Sequence, residues 1–146
     1  MSWWFIFAYD NRGFGEIILK TDAGNYASWA ARTGSINPEG DLVHTIAPAT
    51  WFLCDKSVST TEPGMVIDPG KGWKGRLYHE GENGIMEYTH YLIHPDQHGN
   101  GTKGCIGTKE TAQDLRDIID LILDIQENIP VIVSTKPKEA PNVQLN

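Results

Sequence analysis

Two cysteines in 146 residues are too few for a disulfide framework, which excludes the small secreted folds that several bridges staple together. Positive charge is also scarce. Twelve Lys and Arg against nineteen Asp and Glu leave a net charge of -7. Binding to nucleic acid through clustered cations is therefore excluded as a leading role. No apolar run approaches the ~20 residues that span a bilayer as a helix. The apolar start, Met1 to Tyr9, lacks the basic flank and small-residue cleavage site of a secretory signal and reads as a core strand. Low-complexity tracts and internal repeats are missing too. What is present is a 40% apolar, 21% charged chain with five Trp, five Tyr and four Phe, a composition that can bury one core without a metal staple.

Fifteen Gly and eight Pro punctuate short apolar segments. Strands are predicted at 3–9, 15–20 and 26–33, the last closed by Gly34, with turns at Asn11-Arg12-Gly13 and Asp22-Ala23-Gly24-Asn25. Further candidates are 50–54, 64–67, 75–79 and 85–93, a spacing that suggests a β-sandwich or barrel. One segment differs. From Lys109 to Asn128 there is no Gly or Pro, and Leu115, Ile118, Ile119, Ile122 and Ile125 fall on one helical face. Thr108 is the expected cap, with Glu110 and Asp114 suited to the positive end of the helix dipole. Pro130 is read as closing the helix, before a central strand at Val131-Ile132-Val133. The expected fold is mostly β with one substantial helix, in a domain spanning 1–135, followed by a flexible tail at 136–146.

Chemistry concentrates between the strands and the helix. A strand ends at Tyr91-Leu92-Ile93-His94, a glycine-rich loop follows, and Thr102-Lys103-Gly104-Cys105 precedes the helical segment. Gly104 permits close backbone approach beside the thiol. Backbone N–H groups of 103–105 suit an oxyanion nest. A thiol near a helix N-terminus with a histidine in reach favours thiolate. Cys54, inside Trp51-Phe52-Leu53-Cys54, reads instead as a small buried hydrophobe. His90, His94 and His98 recur every four residues and, with Cys105, admit a zinc reading, although Pro95 and Gly99 break any helix that would stack them. On a strand His90 and His94 share a face, so His90 is a pocket candidate with Tyr91 and Tyr78. His98 and Asp96 read as loop residues, and Lys71, Lys74 and Arg76 as a solvated basic loop.

The pattern His94-x10-Cys105 ending in Thr102-Lys103-Gly104-Cys105 resembles the signature of the L,D-transpeptidase (YkuD-like) family: a histidine, a loop, then Ser/Thr-His-Gly-Cys. Arg32-Thr33-Gly34 looks like that family's Ser-Thr-Gly segment, so Arg32 joins the candidate pocket. The resemblance implies Cys105 as nucleophile, His94 as general base, and Thr102, Lys103 and Gly104 as the loop that shapes the oxyanion site. It implies no cofactor and no metal. Lys103 stands where the family carries a second histidine. The compact His-Pro-Asp and Gly-Thr-x-Gly-Cys-Ile-Gly variant resembles phage-encoded and type VI-delivered members.

What the resemblance implies is acyl transfer on peptidoglycan stem peptides through a thioester, ending in transpeptidation or cleavage. Delivery would be by phage lysis or a secretion system, and a toxin would have an immunity protein as partner. Papain-like and NlpC/P60-like peptidases also pair Cys with His, but there the cysteine comes first. Two alternatives stay open: an inactive structural or binding domain of a phage or secretion system, and a His/Cys zinc peptidase.

Overall fold

The computed structural model describes residues 1–62, 65–68, 71–96, 101–109 and 112–137. In chain order the strands are β1 (Trp3–Tyr9), β2 (Phe14–Thr21), β3 (Gly24–Thr33), β4 (Ser35–Ile36), β5 (Leu42–Val43), β6 (Ala49–Leu53), β7 (Val58–Thr60), β8 (Val66–Asp68), β9 (Lys71–Glu80), β10 (Met86–Pro95), β11 (Ile106–Thr108) and β12 (Ile129–Thr135). Among the described residues a 3-10 turn lies at Glu82–Gly84, and the helix α1 at Gln113–Leu123. Eight strands close into a barrel in the order β10-β11-β3-β2-β1-β12-β6-β9, because β9 pairs back onto β10. The mostly-β architecture with one substantial helix is thus the one expected, and between sandwich and barrel it is the barrel. Closure removes the edges that an open sheet of this size would expose.

Period-two alternation explains the closure. Phe5 and Phe7 of β1 register with Leu19 and Ile17 of β2, and Phe5 and Phe7 also pair with Val131 and Val133 of β12. All face inward and are fully or almost fully buried. Ile93 registers with Ile106, and Ile106 with Thr33, so the same inward layer continues round through β10, β11 and β3. Trp51, Leu53, Trp73 and Leu77 complete it. The expected central strand is β12, held between β1 and β6, with Ile132 facing outward at 39% exposure rather than buried.

The helix is shorter than its apolar pattern. Leu115, Ile119 and Ile122 form its buried stripe and join the barrel core, but Ile125 lies beyond the helix end and is 74% exposed. Thr108 is not its cap. The residues 106–108 pair with β10 and β3, so strand hydrogen bonding claims them and α1 starts after Ala112. Pro130 likewise sits inside β12, opposite Phe52, rather than ending the helix. Polar ties fix α1 to the barrel: Ser57 donates to Asp120 from N at 2.8 Å and from Oγ at 2.9 Å, and Trp29 Nε1 donates to Asp114 at 3.0 Å. Lys136 still donates its N–H to Tyr9 O at 2.8 Å, and the tail from Lys138 lies outside the described residues.

Candidate active site

The site is built by one uncommon pairing in an otherwise largely antiparallel barrel. β10 and β11 run parallel, with Ile93, His94 and Pro95 opposite Ile106, Gly107 and Thr108. Since Ile93 and Ile106 point inward, His94 and Gly107 point outward. Cys105 lies just before β11, and its thiol is hydrogen-bonded by the backbone of Leu92, two residues before His94 on β10. A row follows across four strands: His94, Gly107, Arg32 and Phe14. A Cβ at Gly107 would meet Cβ of Asp96 at 2.8 Å, so glycine is what lets Asp96 lie over β11 here.

The described part of the loop, 101–105, is anchored at several points. Thr102 N–H donates to Gly34 O at 2.9 Å, Gly34 N–H donates to Thr102 Oγ1 at 3.0 Å, and that hydroxyl donates to Cys105 O at 2.6 Å. The buried Thr102 therefore ties the backbone of the cysteine to the end of β3. Those are the two segments, Arg32-Thr33-Gly34 and Thr102 to Cys105, that the motif singled out. Gly101 N–H donates to Asp96 Oδ2 at 3.1 Å. Gly104 has φ of +91°, and a Cβ there would lie 2.5 Å from Cε1 of Tyr91. Tyr91, itself edge-on to Trp51 at 5.5 Å, thus forms the wall behind the thiol loop. Lys103 is exposed, and no described residue accepts from the backbone N–H of Lys103 or Gly104.

His94 is buried, and its Nδ1 lies 2.7 Å from Pro95 O. A carbonyl only accepts, so the proton sits on Nδ1 and Nε2 carries the lone pair. Burial pushes the imidazole below its ordinary pKa, opposed by the Pro95 carbonyl and by the charges of Asp96 and Glu62. It is therefore neutral at neutral pH. The thiol goes the other way. Desolvation raises the Cys105 pKa, partly offset by a backbone hydrogen bond from Leu92. The expectation of a helix-activated thiolate is corrected here, because β11 intervenes and α1 begins eight residues later. Among the described residues no hydrogen bond joins the thiol to the imidazole. Both cysteines are free thiols; Cys54, just beyond β6, is half-buried with its pKa raised by burial first, then by Asp55 and Glu127.

Other candidates fall elsewhere. A bulge between Tyr88 and Leu92 takes His90 out of the strand alternation, with φ of +64°. Its exposed ring packs tilted against Tyr88 at 4.8 Å, and no described contact joins it to His94. Tyr78 makes a short hydrogen bond to Asp55, which raises the phenol pKa. Arg32 lies with its guanidinium 4.8 Å over Phe14, beside a cleft of about 280 Å³ that Ala30, Asp96, Gly107 and Lys109 also line. His98 lies outside the described residues. Among those described, no group of three His, Cys, Asp or Glu side chains is placed to hold a metal ion. No described helix is long and apolar enough to cross a membrane. The triplet Lys71, Lys74 and Arg76 is not a loop but part of β9, and alternation sets Lys74 and Arg76 on the outward side. Arg76 registers with Leu92, the neighbour of Cys105. Strand alternation from Trp73 to Leu77 was the signal that marks it.

Comparison with family models, with curated proteins and with solved structures gives no match.

Proposed function

We propose that this chain is a cysteine acyltransferase or peptidase that acts on peptidoglycan stem peptides, at a bond between an L-configured centre and a D-amino acid. The observation that carries the chemistry is the parallel β10–β11 pairing. It supports this reading by bringing Cys105, just before β11, beside the end of β10 that carries His94, whose Nδ1 is turned to Pro95 O and whose Nε2 is left as base. The substrate class rests on the resemblance of His94-x10-Cys105 and Thr102-x-Gly104-Cys105 to L,D-transpeptidases.

The mechanism follows from two neutral partners. Nε2 of His94 takes the Cys105 proton as Sγ attacks the carbonyl carbon, so charge separates only when substrate is present. A catalytic hydrogen bond that is loose in the free enzyme tightens in the substrate complex. The backbone N–H groups of Lys103 and Gly104 receive the developing oxyanion. The C–N bond breaks, the departing amine takes the proton from imidazolium, and a thioester remains. Water or a second amine then releases the acyl group, giving cleavage or exchange. No cofactor enters these steps. The substrate lies outside the cytoplasm, so the reading includes delivery by phage lysis or a secretion system, and an immunity protein as partner of a delivered toxin.

Purified peptidoglycan digested with wild type and with Cys105→Ala, and read by mass spectrometry of the muropeptides, tests this. New or shortened stems appear with wild type alone; identical patterns from both would sink the nucleophile assignment. A second reading, a binding domain without activity, is favoured by the raised thiol pKa and the missing thiol–imidazole hydrogen bond. It predicts a Cys105 inert to iodoacetamide at neutral pH.

A further inference from the structure

Several side-chain donors on this acidic chain have described partners. Lys56 pairs with Asp124, Lys74 with Glu62 at 2.8 Å, and His79 with Glu87 at 3.3 Å. Arg116 donates to Ser57 and Ser59, both at 2.9 Å. Arg76 is different. It is half-buried on the outward face of β9, and no described carboxylate pairs with it. Its guanidinium carbon lies 5.6 Å from the centroid of the Tyr88 ring, and its charge also acts on Tyr78. That ring is itself held, against Tyr78 at 5.7 Å and His90 at 4.8 Å. The hold depends on the β10 bulge, where His90 takes a left-handed backbone that a side chain rarely adopts. Bulges of this kind re-aim side chains beside active sites. A partly desolvated guanidinium presents a rigid fork of donors suited to a carboxylate, and leaving it unmatched is costly.

Position gives the fork its use. Arg76 registers with Leu92, and Leu92 is the neighbour of Cys105, so the two polar residues flank one buried leucine across two strand spacings, about 10 Å between backbones. A leaving amino acid with a free α-carboxylate has its anion only two bonds beyond the scissile nitrogen. With the reacting carbon at Sγ, its small side chain sits over Leu92 and its carboxylate reaches toward the fork. We infer that Arg76 is the specificity-determining residue of this site, binding a free carboxylate on the leaving-group side of the bond attacked by Cys105. This rests on the acyl-transfer reading above, and its experiment separates the two.

Wild type, Arg76→Gln and Arg76→Lys are alkylated at Cys105 with iodoacetate and with iodoacetamide, which differ only in the carboxylate. The same proteins are then given a stem peptide ending in a free acid or an amide. The iodoacetate-to-iodoacetamide rate ratio falls about tenfold in Arg76→Gln, the scale of one charge-assisted hydrogen bond, and is partly restored by lysine. With peptides, wild type prefers the acid through KM, and Arg76→Gln loses that preference. A shifted alkylation ratio without peptide turnover supports carboxylate binding at Arg76 and overturns the peptide reading. An alkylation ratio equal in all three proteins overturns the role of Arg76 and leaves the peptide reading standing.

Discussion

At the scale of single residues, His94 is where burial and chemistry meet. Its depressed pKa means that the unfolded chain takes up the proton first as pH falls. The stability linked to it is complete above the ordinary histidine value of about 6.5 and declines as pH drops through that value toward the folded one. His94→Gln therefore flattens the dependence of the urea midpoint on pH between about 7.5 and 5.5. A mutant curve that keeps the wild-type slope would show that another group carries it. The same imidazole was legible as a candidate base from its place at a strand end before a glycine loop. Its tautomer was not, because it depends on how Pro95 turns the chain after β10. Arg76 fell inside the strand expected at 75–79 while its basic triplet was read as a solvated loop; pairing with β6, β7 and β10 extends that strand back to Lys71.

The element that matters most to the site is the loop from Gly101 to Cys105. Gly104 occupies a positive φ and touches Tyr91, so Gly104→Ala meets two costs at once: about 1–2 kcal/mol for the left-handed backbone, and displacement of loop or ring. We expect the iodoacetamide rate at Cys105 to change in this variant far more than the fold, since the loop lies outside the core layers. An unchanged rate together with an unchanged urea midpoint would contradict the close packing of Gly104 on Tyr91. The helix teaches a different lesson. Its apolar face was legible over Leu115, Ile119 and Ile122, while its start was placed four residues early. Propensity and capping chemistry favour helix from Thr108 onward, yet β11 needs Ile106–Thr108 to join β10 to β3. Long-range pairing overrode the local preference.

Across the whole molecule, the barrel is one cooperative object, because every one of its eight strands is bonded on both sides and contributes to a single core. Phe7 lies between Ile17 on one flank and Val133 on the other, fully buried. Phe7→Ala is expected to cost about 3–5 kcal/mol, with unfolding by near- and far-UV circular dichroism still coincident. Separate transitions would mean that the β10–β9 seam opens independently of the rest. The alternation of apolar residues along the strands, the turn chemistry between them and the amphipathic stretch before β12 were determined by the sequence alone, since each rests on local periodicity. So was the adjacency in chain order of histidine, glycine loop and cysteine. Strand order, closure, the parallel β10–β11 pair, the raised thiol pKa and the line from Arg76 over Leu92 to Cys105 were decided only by tertiary structure. Each depends on which strands become neighbours, and that choice is made by the shared core rather than by any one segment.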